Sequence, residues 1–147
     1  MSPIAILGAG NMASALALNL ARHHVPVRLY CIEPDVEADI NTYHRNQKYL
    51  SDAKLPSNII ASDDIAFVLQ DAKTVFVAVP SFAVNDVLQK ALPHLHEETI
   101  IVSISKGLDP ASLQPLIIKE AELLPQNIRK RVVSLGGPAI ANEMAKN

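Results

Sequence analysis

The chain has 147 residues, enough for one ordinary domain with a core of its own. It is 49% hydrophobic and 19% charged with a formal net charge of −2, which excludes a disordered chain and argues against a basic nucleic-acid binder. One cysteine excludes an internal disulfide framework, and no apolar run approaches the roughly 20 residues of a membrane-spanning helix. The N-terminus runs straight into a strand-like segment without a basic leader, so the expectation is a cytoplasmic domain with no signal peptide and no membrane insertion.

Pro3 to Leu7 is a short apolar run stopped by Gly8 and reads as a strand. Ala13 to His23 places Ala13, Leu16, Ala17, Leu20 and Ala21 at helical spacing, with Arg22 at the C-terminal end. Val25 to Ile32 is β-rich and predicts a second strand. Val36 to Gln47 carries a sparse stripe of Val36, Ile40 and Tyr43, the pattern of a surface helix, and Lys48 to Asn58 reads as a connection. Ile59 to Ala61 is a short strand, and Asp63 is placed to cap a helix running to Gln70. Thr74 to Val79 is an apolar strand closed by Pro80, after which Ser81 is placed to cap a helix from Ala83 to Leu92. Thr99 to Ile104 predicts another strand, followed by the loop Ser105 to Pro110. Ser112 to Leu124 predicts a helix with Pro115 in its first turn. Val132 to Leu135 is a last strand before Gly136-Gly137-Pro138, and Ala139 to Ala145 reads as a helix.

Apolar strands alternating with helices predict an α/β domain over residues 1–147, doubly wound around a mostly parallel sheet with helices on both faces. No repeat, low-complexity tract or internal linker interrupts it. The sequence stops just after a helix begins, so a missing C-terminal partner domain is expected.

Ile6-Leu7-Gly8-Ala9-Gly10-Asn11-Met12-Ala13 follows a strand and opens a helix, and it fits G-x-G-x-x-A, the Rossmann-like dinucleotide fingerprint. Gly8 makes the tight turn, Gly10 lacks the Cβ that would block a pyrophosphate, and Ala13 lets the helix pack close to the strand. The free N–H groups at that helix start then favour the diphosphate. The competing reading is a structural glycine turn. Glu33 stands 20 residues past Ala13 at the end of the second strand, where a carboxylate accepts from a ribose 2′-OH and repels a 2′-phosphate. It favours NAD over NADP, unless Glu33 and Asp35 merely flank a turn at Pro34. Arg28, within the strand, is placed to turn toward a phosphate, so NADP stays open.

Several blocks then resemble the N-terminal half of NAD(P)-dependent sn-glycerol-3-phosphate dehydrogenases. They are the glycine loop with Leu16-Ala17, Glu37 to Asn41, Asn46-Gln47-Lys48-Tyr49-Leu50, Leu55 to Ala61, Val77-Ala78-Val79-Pro80-Ser81, Ser105-Lys106-Gly107-Leu108 and Gly137 to Glu143. The resemblance implies that Gly8, Gly10, Asn11 and Met12 hold the diphosphate, Ile32 lies on the adenosine side, and Pro80 near the nicotinamide ribose. It also implies that Lys106 contacts cofactor and substrate, that Gly137 and Ala139 face a small phosphorylated substrate, and that Ala141 approaches the cofactor. Ala139 stands where the family usually has Ser or Thr, Gly136 where Ser is commoner, Met12 where an aromatic is usual, and Ile32 where bacterial members often have Arg. The family's helical second domain, which supplies its acid–base lysine, has no counterpart in this sequence. Exposure of the surface it covers predicts self-association into a homo-oligomer.

Lys106 follows a buried strand at the sheet's C-terminal edge, where ligands bind in open α/β folds. Its ammonium suits neutralising a phosphate or polarising a carbonyl during hydride transfer, against the reading of a solvated loop lysine. Gly136-Gly137-Pro138 is either a second anion site or a plain turn. His94 and His96 lack a metal-ligand cluster, so no metal is expected. His23-His24 read as helix-end residues and Cys31 as a buried small hydrophobe. No G-x-S-x-G or P-loop sequence is present. Two rival readings remain, a pyrroline-5-carboxylate reductase, whose opening is similar to Gly10-Asn11-Met12-Ala13, and a stand-alone module that senses NAD(H).

Overall fold

The computed structural model describes residues 1–109, 112–137 and 139–146. Pro110 and Ala111 of the predicted loop and helix approach, Pro138 of the Gly-Gly-Pro turn, and Asn147 lie outside the described residues. The order of elements is β1 (Ile4–Leu7), α1 (Asn11–Arg22), β2 (Val27–Tyr30), α2 (Pro34–Tyr43), β3 (Arg45–Asn46), β4 (Leu50–Lys54), β5 (Ile59–Ser62) and α3 (Ile65–Leu69). Then come β6 (Thr74–Val77), α4 (Val84–Ala91), β7 (Ile100–Ser103), α5 (Leu116–Leu123), α6 (Gln126–Arg129), β8 (Val132–Ser134) and α7 (Ala141–Lys146).

Six strands form one sheet in the order β5-β2-β1-β6-β7-β8, parallel throughout, which is the doubly wound arrangement expected. Successive side chains of a strand point to opposite faces. Thus Ile6 joins the core under α1, α2 and α7, whereas Ala5 and Leu7 join the core under α3, α4, α5 and α6. With both faces covered, each strand is apolar nearly throughout, as the sequence showed. The strand order reverses between β1 and β6, and that switch point opens a crevice at the C-terminal ends of the strands. α1 lies close to the sheet because Ala13, Ala15, Ala17 and Ala21 are all buried along it. Its far side holds α7, whose last turn is closed by Asn19 Nδ2 donating to the Met144 carbonyl (2.8 Å) and Arg22 Nη2 to that of Ala145 (2.7 Å).

Five local expectations are corrected. The helix expected over Val36–Gln47 starts earlier and stops at Tyr43, because His44 turns left-handed (φ 52°). The Asp39 carboxylate then catches the outgoing chain, accepting from Arg45 Nε (2.7 Å) and the Gln47 N–H (2.8 Å). The expected connection over Lys48–Asn58 contains β4, which pairs antiparallel with β3 in a separate two-stranded ribbon. Only Leu50 of β4 is buried, so no apolar run marked it. Asp64, not Asp63, caps α3, accepting from the N–H groups of Ala66 (2.9 Å) and Phe67 (3.2 Å). Ser81 caps nothing: Ser81–Ala83 is a 3-10 turn and α4 starts at Val84 without a side-chain cap. The long helix expected from Ser112 shortens to Leu116–Leu123, since Pro115 is extended (ψ 135°) at its N-cap rather than inside its first turn.

Candidate functional site

At the switch point, the turn after β1 is held between both neighbouring strands. The Gly8 N–H donates to the Tyr30 carbonyl of β2 (3.1 Å), and the Ala78 N–H, just past β6, donates to the Leu7 carbonyl (2.9 Å). Gly8 takes φ +122°, and a Cβ there would stand 2.9 Å from the Ala78 carbonyl oxygen, so glycine is required by backbone angle and by space. Gly10 differs: it has ordinary angles, and a Cβ would meet no protein atom within 4 Å. It caps α1 with no side chain, so the first N–H groups of this 12-residue helix point outward without an intrahelical acceptor.

The crevice is a cavity of about 430 Å³ that brings together Gly8, Gly10, Ile32, Glu33 and Pro80, five of the residues singled out from sequence. Its lips are apolar and unusually exposed: Ile32 is 71% accessible and Phe82, in the turn after Pro80, is 86% accessible. A second cavity of about 250 Å³ lies around the corner and gathers Met12, Lys106, Gly137 and Ala139. There Lys106 Nζ donates to the Gly137 carbonyl (3.2 Å), which ties the two loops of the sheet's C-terminal edge together. Ser105 Oγ donates to the Val79 carbonyl (2.8 Å) and links that edge back to the first crevice. Asn11 is exposed at the start of α1, and Ala141 is buried in the core cluster that α1 and α7 share; neither lines these two cavities.

Glu33 falls three residues beyond the end of β2, at the N-cap of α2 rather than on the strand itself, and its carboxylate does not stand alone. Oε1 accepts from the Tyr49 hydroxyl (2.8 Å) and Oε2 from Lys48 Nζ. These bonds, Lys48's foremost, hold the Glu33 carboxyl below its ordinary range, while the same pair pushes the Lys48 ammonium and the Tyr49 phenol up. Cys31 beneath is buried as expected, and burial pushes its thiol up. Arg28, open to a phosphate role by sequence, is committed elsewhere: Nη1 donates to the carbonyls of Phe67 (2.7 Å) and Gln70 (2.8 Å) at the end of α3, and the guanidinium lies 4.7 Å from the Phe67 ring centre.

The residue that sequence reasoning passed over is Asn46. It is buried beside the glycine loop, donating from Nδ2 to the Ala9 carbonyl (2.9 Å) and to Ser14 Oγ (2.8 Å), while Oδ1 accepts the Tyr49 N–H (3.2 Å). Asn46, Lys48 and Tyr49 were visible as a block, but their partners Ala9, Ser14 and Glu33 lie 15 to 37 residues away, so no local pattern could assign them. Among the described residues no cluster of three metal-ligating side chains exists, and no helix is long and apolar enough to cross a membrane.

Comparison with known proteins agrees with this geometry. The family model described as the NAD-dependent glycerol-3-phosphate dehydrogenase N-terminus matches residues 3–147. The chain is 38% identical over 144 residues to a glycerol-3-phosphate dehydrogenase (NAD(P)+) of Bacillus velezensis, covering 98% of this chain and 42% of the relative. Among solved structures, the glycerol-3-phosphate dehydrogenase of Coxiella burnetii superposes with a TM-score of 0.84 at 31% identity, over 99% of this chain and 43% of that one. The enzyme of Saccharomyces cerevisiae shares the fold, with a TM-score of 0.85 at 24% identity over 99% of this chain and 44% of that one. The chain thus spans about two-fifths of the length of the relatives it matches.

Proposed function

The chain belongs to the NAD-dependent glycerol-3-phosphate dehydrogenase N-terminal family, and from that premise we propose that it is the dinucleotide-binding domain of such an enzyme. The observation that carries the reading is one cleft holding the Gly8–Gly10 turn, the open start of α1 and the Glu33 carboxylate. The open space beside Gly10 is the cradle a diphosphate needs, since any Cβ there would project into it. Gly10, Asn11 and Met12 bind the diphosphate through backbone N–H groups, Glu33 accepts from the ribose, Ile32 flanks adenine, and Pro80 lies along the nicotinamide ribose. Ala141, under α1, supports the cofactor side.

A bound nicotinamide dinucleotide supplies the hydride acceptor or donor. Lys106 neutralises the phosphate or polarises the C2 oxygen of the substrate, with Gly137 and Ala139 lining its cavity. The proposed activity of the whole protein interconverts sn-glycerol 3-phosphate and dihydroxyacetone phosphate in the cytoplasm. The groups that the resemblance assigns to a helical second domain, its acid–base lysine foremost, complete that site. No nucleic acid takes part, and exposed apolar side chains beside the β8 edge suit a homo-oligomer.

The test is a thermal-shift titration with NADH and NADPH. Ligand at 100 times its dissociation constant stabilises by about 2.7 kcal/mol, or about 5–10 °C for a domain of this size. Absence of any shift with either dinucleotide overturns the reading. Addition of sn-glycerol 3-phosphate and NAD then separates a chain that turns over from one that binds dinucleotide alone.

A further inference from the structure

Beside the cleft, paired with the Glu33 carboxylate that lines it, stands a cation that a plain NAD-selective carboxylate has no need of. We infer that Lys48 governs cofactor choice in this chain, pairing with Glu33 when the ribose bears a 2′-hydroxyl and turning to the 2′-phosphate when NADP(H) is bound, so that both dinucleotides are accepted. This rests on the dinucleotide reading above.

A free carboxylate at Glu33 would reject a 2′-phosphate by like-charge repulsion. Here each carboxylate oxygen already accepts a hydrogen bond, Oε1 from Tyr49 and Oε2 from Lys48. Lys48 Nζ also reaches Asp35 Oδ2 (3.7 Å), so one ammonium serves two carboxylates on the rim. An ammonium has three donors on a flexible stem, and at 47% exposure it can trade one carboxylate for a phosphate without uncovering buried surface. Its backbone is fixed: Lys48 sits in the turn between β3 and β4, and Asn46 at that turn's start is bonded to Ala9 inside the glycine loop. The position of the cation relative to a bound diphosphate is therefore set, while its side chain is free to turn. Arg28, the cation of β2, has its Nη1 directed at the carbonyls ending α3. Among the described residues, the cation in ion-pair contact with Glu33 is Lys48.

The readout is the ratio of NADPH to NADH dissociation constants, measured by calorimetry on the 147-residue chain and on Lys48→Met, Lys48→Arg and Glu33→Gln. The expected wild-type ratio lies within about tenfold of one, which corresponds to about 1.4 kcal/mol. Lys48→Met raises the ratio about tenfold or more, chiefly by weakening NADPH, as expected for the loss of one charge-assisted contact to a phosphate. Lys48→Arg restores it, and Glu33→Gln lowers it. A ratio unchanged in Lys48→Met, or a wild type that binds NADH while rejecting NADPH by about a hundredfold or more, overturns this proposal alone. A wild type that binds neither dinucleotide overturns the functional reading beneath it.

Discussion

Exchanging each glycine of the loop for alanine should separate folding from binding, because the two sites differ in what a methyl group meets. At Gly8 the methyl would stand 2.9 Å from the Ala78 carbonyl oxygen and 3.1 Å from its carbon, at φ +122°. Neither neighbour can give way, since the turn is bonded to β2 on one side and the chain leaving β6 on the other. Backbone strain of about 1–3 kcal/mol and overpacking of about 1–3 kcal/mol add to a loss of about 2–6 kcal/mol for Gly8→Ala. At about 2–4 °C per kcal/mol for this size, the melting temperature should fall by about 5–20 °C. At Gly10 the methyl meets nothing, with φ at −73°. Alanine there is a poorer helix cap but restricts the unfolded chain, two effects of about 0.5–1 kcal/mol with opposite sign, so the melting temperature should scarcely move. NADH affinity of Gly10→Ala should nonetheless drop about a hundredfold, because the methyl occupies the diphosphate's path. Thermal denaturation and NADH calorimetry on both variants read this out. A Gly8→Ala melt like wild type, or wild-type NADH affinity in Gly10→Ala, refutes the reasoning.

Glu120 of α5 is fully buried, accepts one bond from Ser103 Oγ (2.9 Å) and has no partner for Oε2 among the described residues; burial raises its pKa. A raised carboxyl pKa means the folded state keeps a proton the unfolded chain releases, so this contribution is present at low pH and lost as pH rises through the folded value. Glu120→Gln should therefore stabilise increasingly from pH 5 to pH 9, and parallel melting curves across that range would sink the idea. Asn46→Ala strips the amide donor from the Ala9 carbonyl and Ser14, and should lower stability by about 1–3 kcal/mol with weaker NADH binding. Chemical denaturation and calorimetry check both effects. Leu88→Ala, on the buried face of α4, should cost about 2–5 kcal/mol by leaving a cavity, readable from the urea midpoint. Val133 and Leu135, half-exposed beside the unpaired edge of β8, predict concentration-dependent association that Val133→Lys reduces; a monomer at all concentrations in sedimentation would count against it.

Much of the outline was legible because it rests on local rules. Short continuous apolar runs located the six strands of the main sheet and a period-3.6 pattern located α1, with errors of at most two residues at the ends. The glycine turn was legible because Gly8 answers to a backbone angle that its own residue type permits. What escaped was decided by partners distant in sequence. β4 shows one buried residue in five, so nothing apolar announced it. Asp63 and Asp64 are equivalent on paper, and only the path of the chain into α3 made Asp64 the acceptor.

The amino-acid sequence by itself determined the class of fold, the glycine turn after β1, the placing of Glu33 shortly beyond β2, and the family, since each depends on residue types at short fixed spacings. Tertiary structure alone decided the electrostatics at that carboxylate. Folding brings Lys48 and Tyr49 across 15 and 16 residues onto Glu33, and turns Arg28 toward the carbonyls that end α3. A charge's effect depends on which charges stand within a few ångströms of it. Those distances exist only once the β3–β4 ribbon is bonded, through Asn46, to the glycine loop.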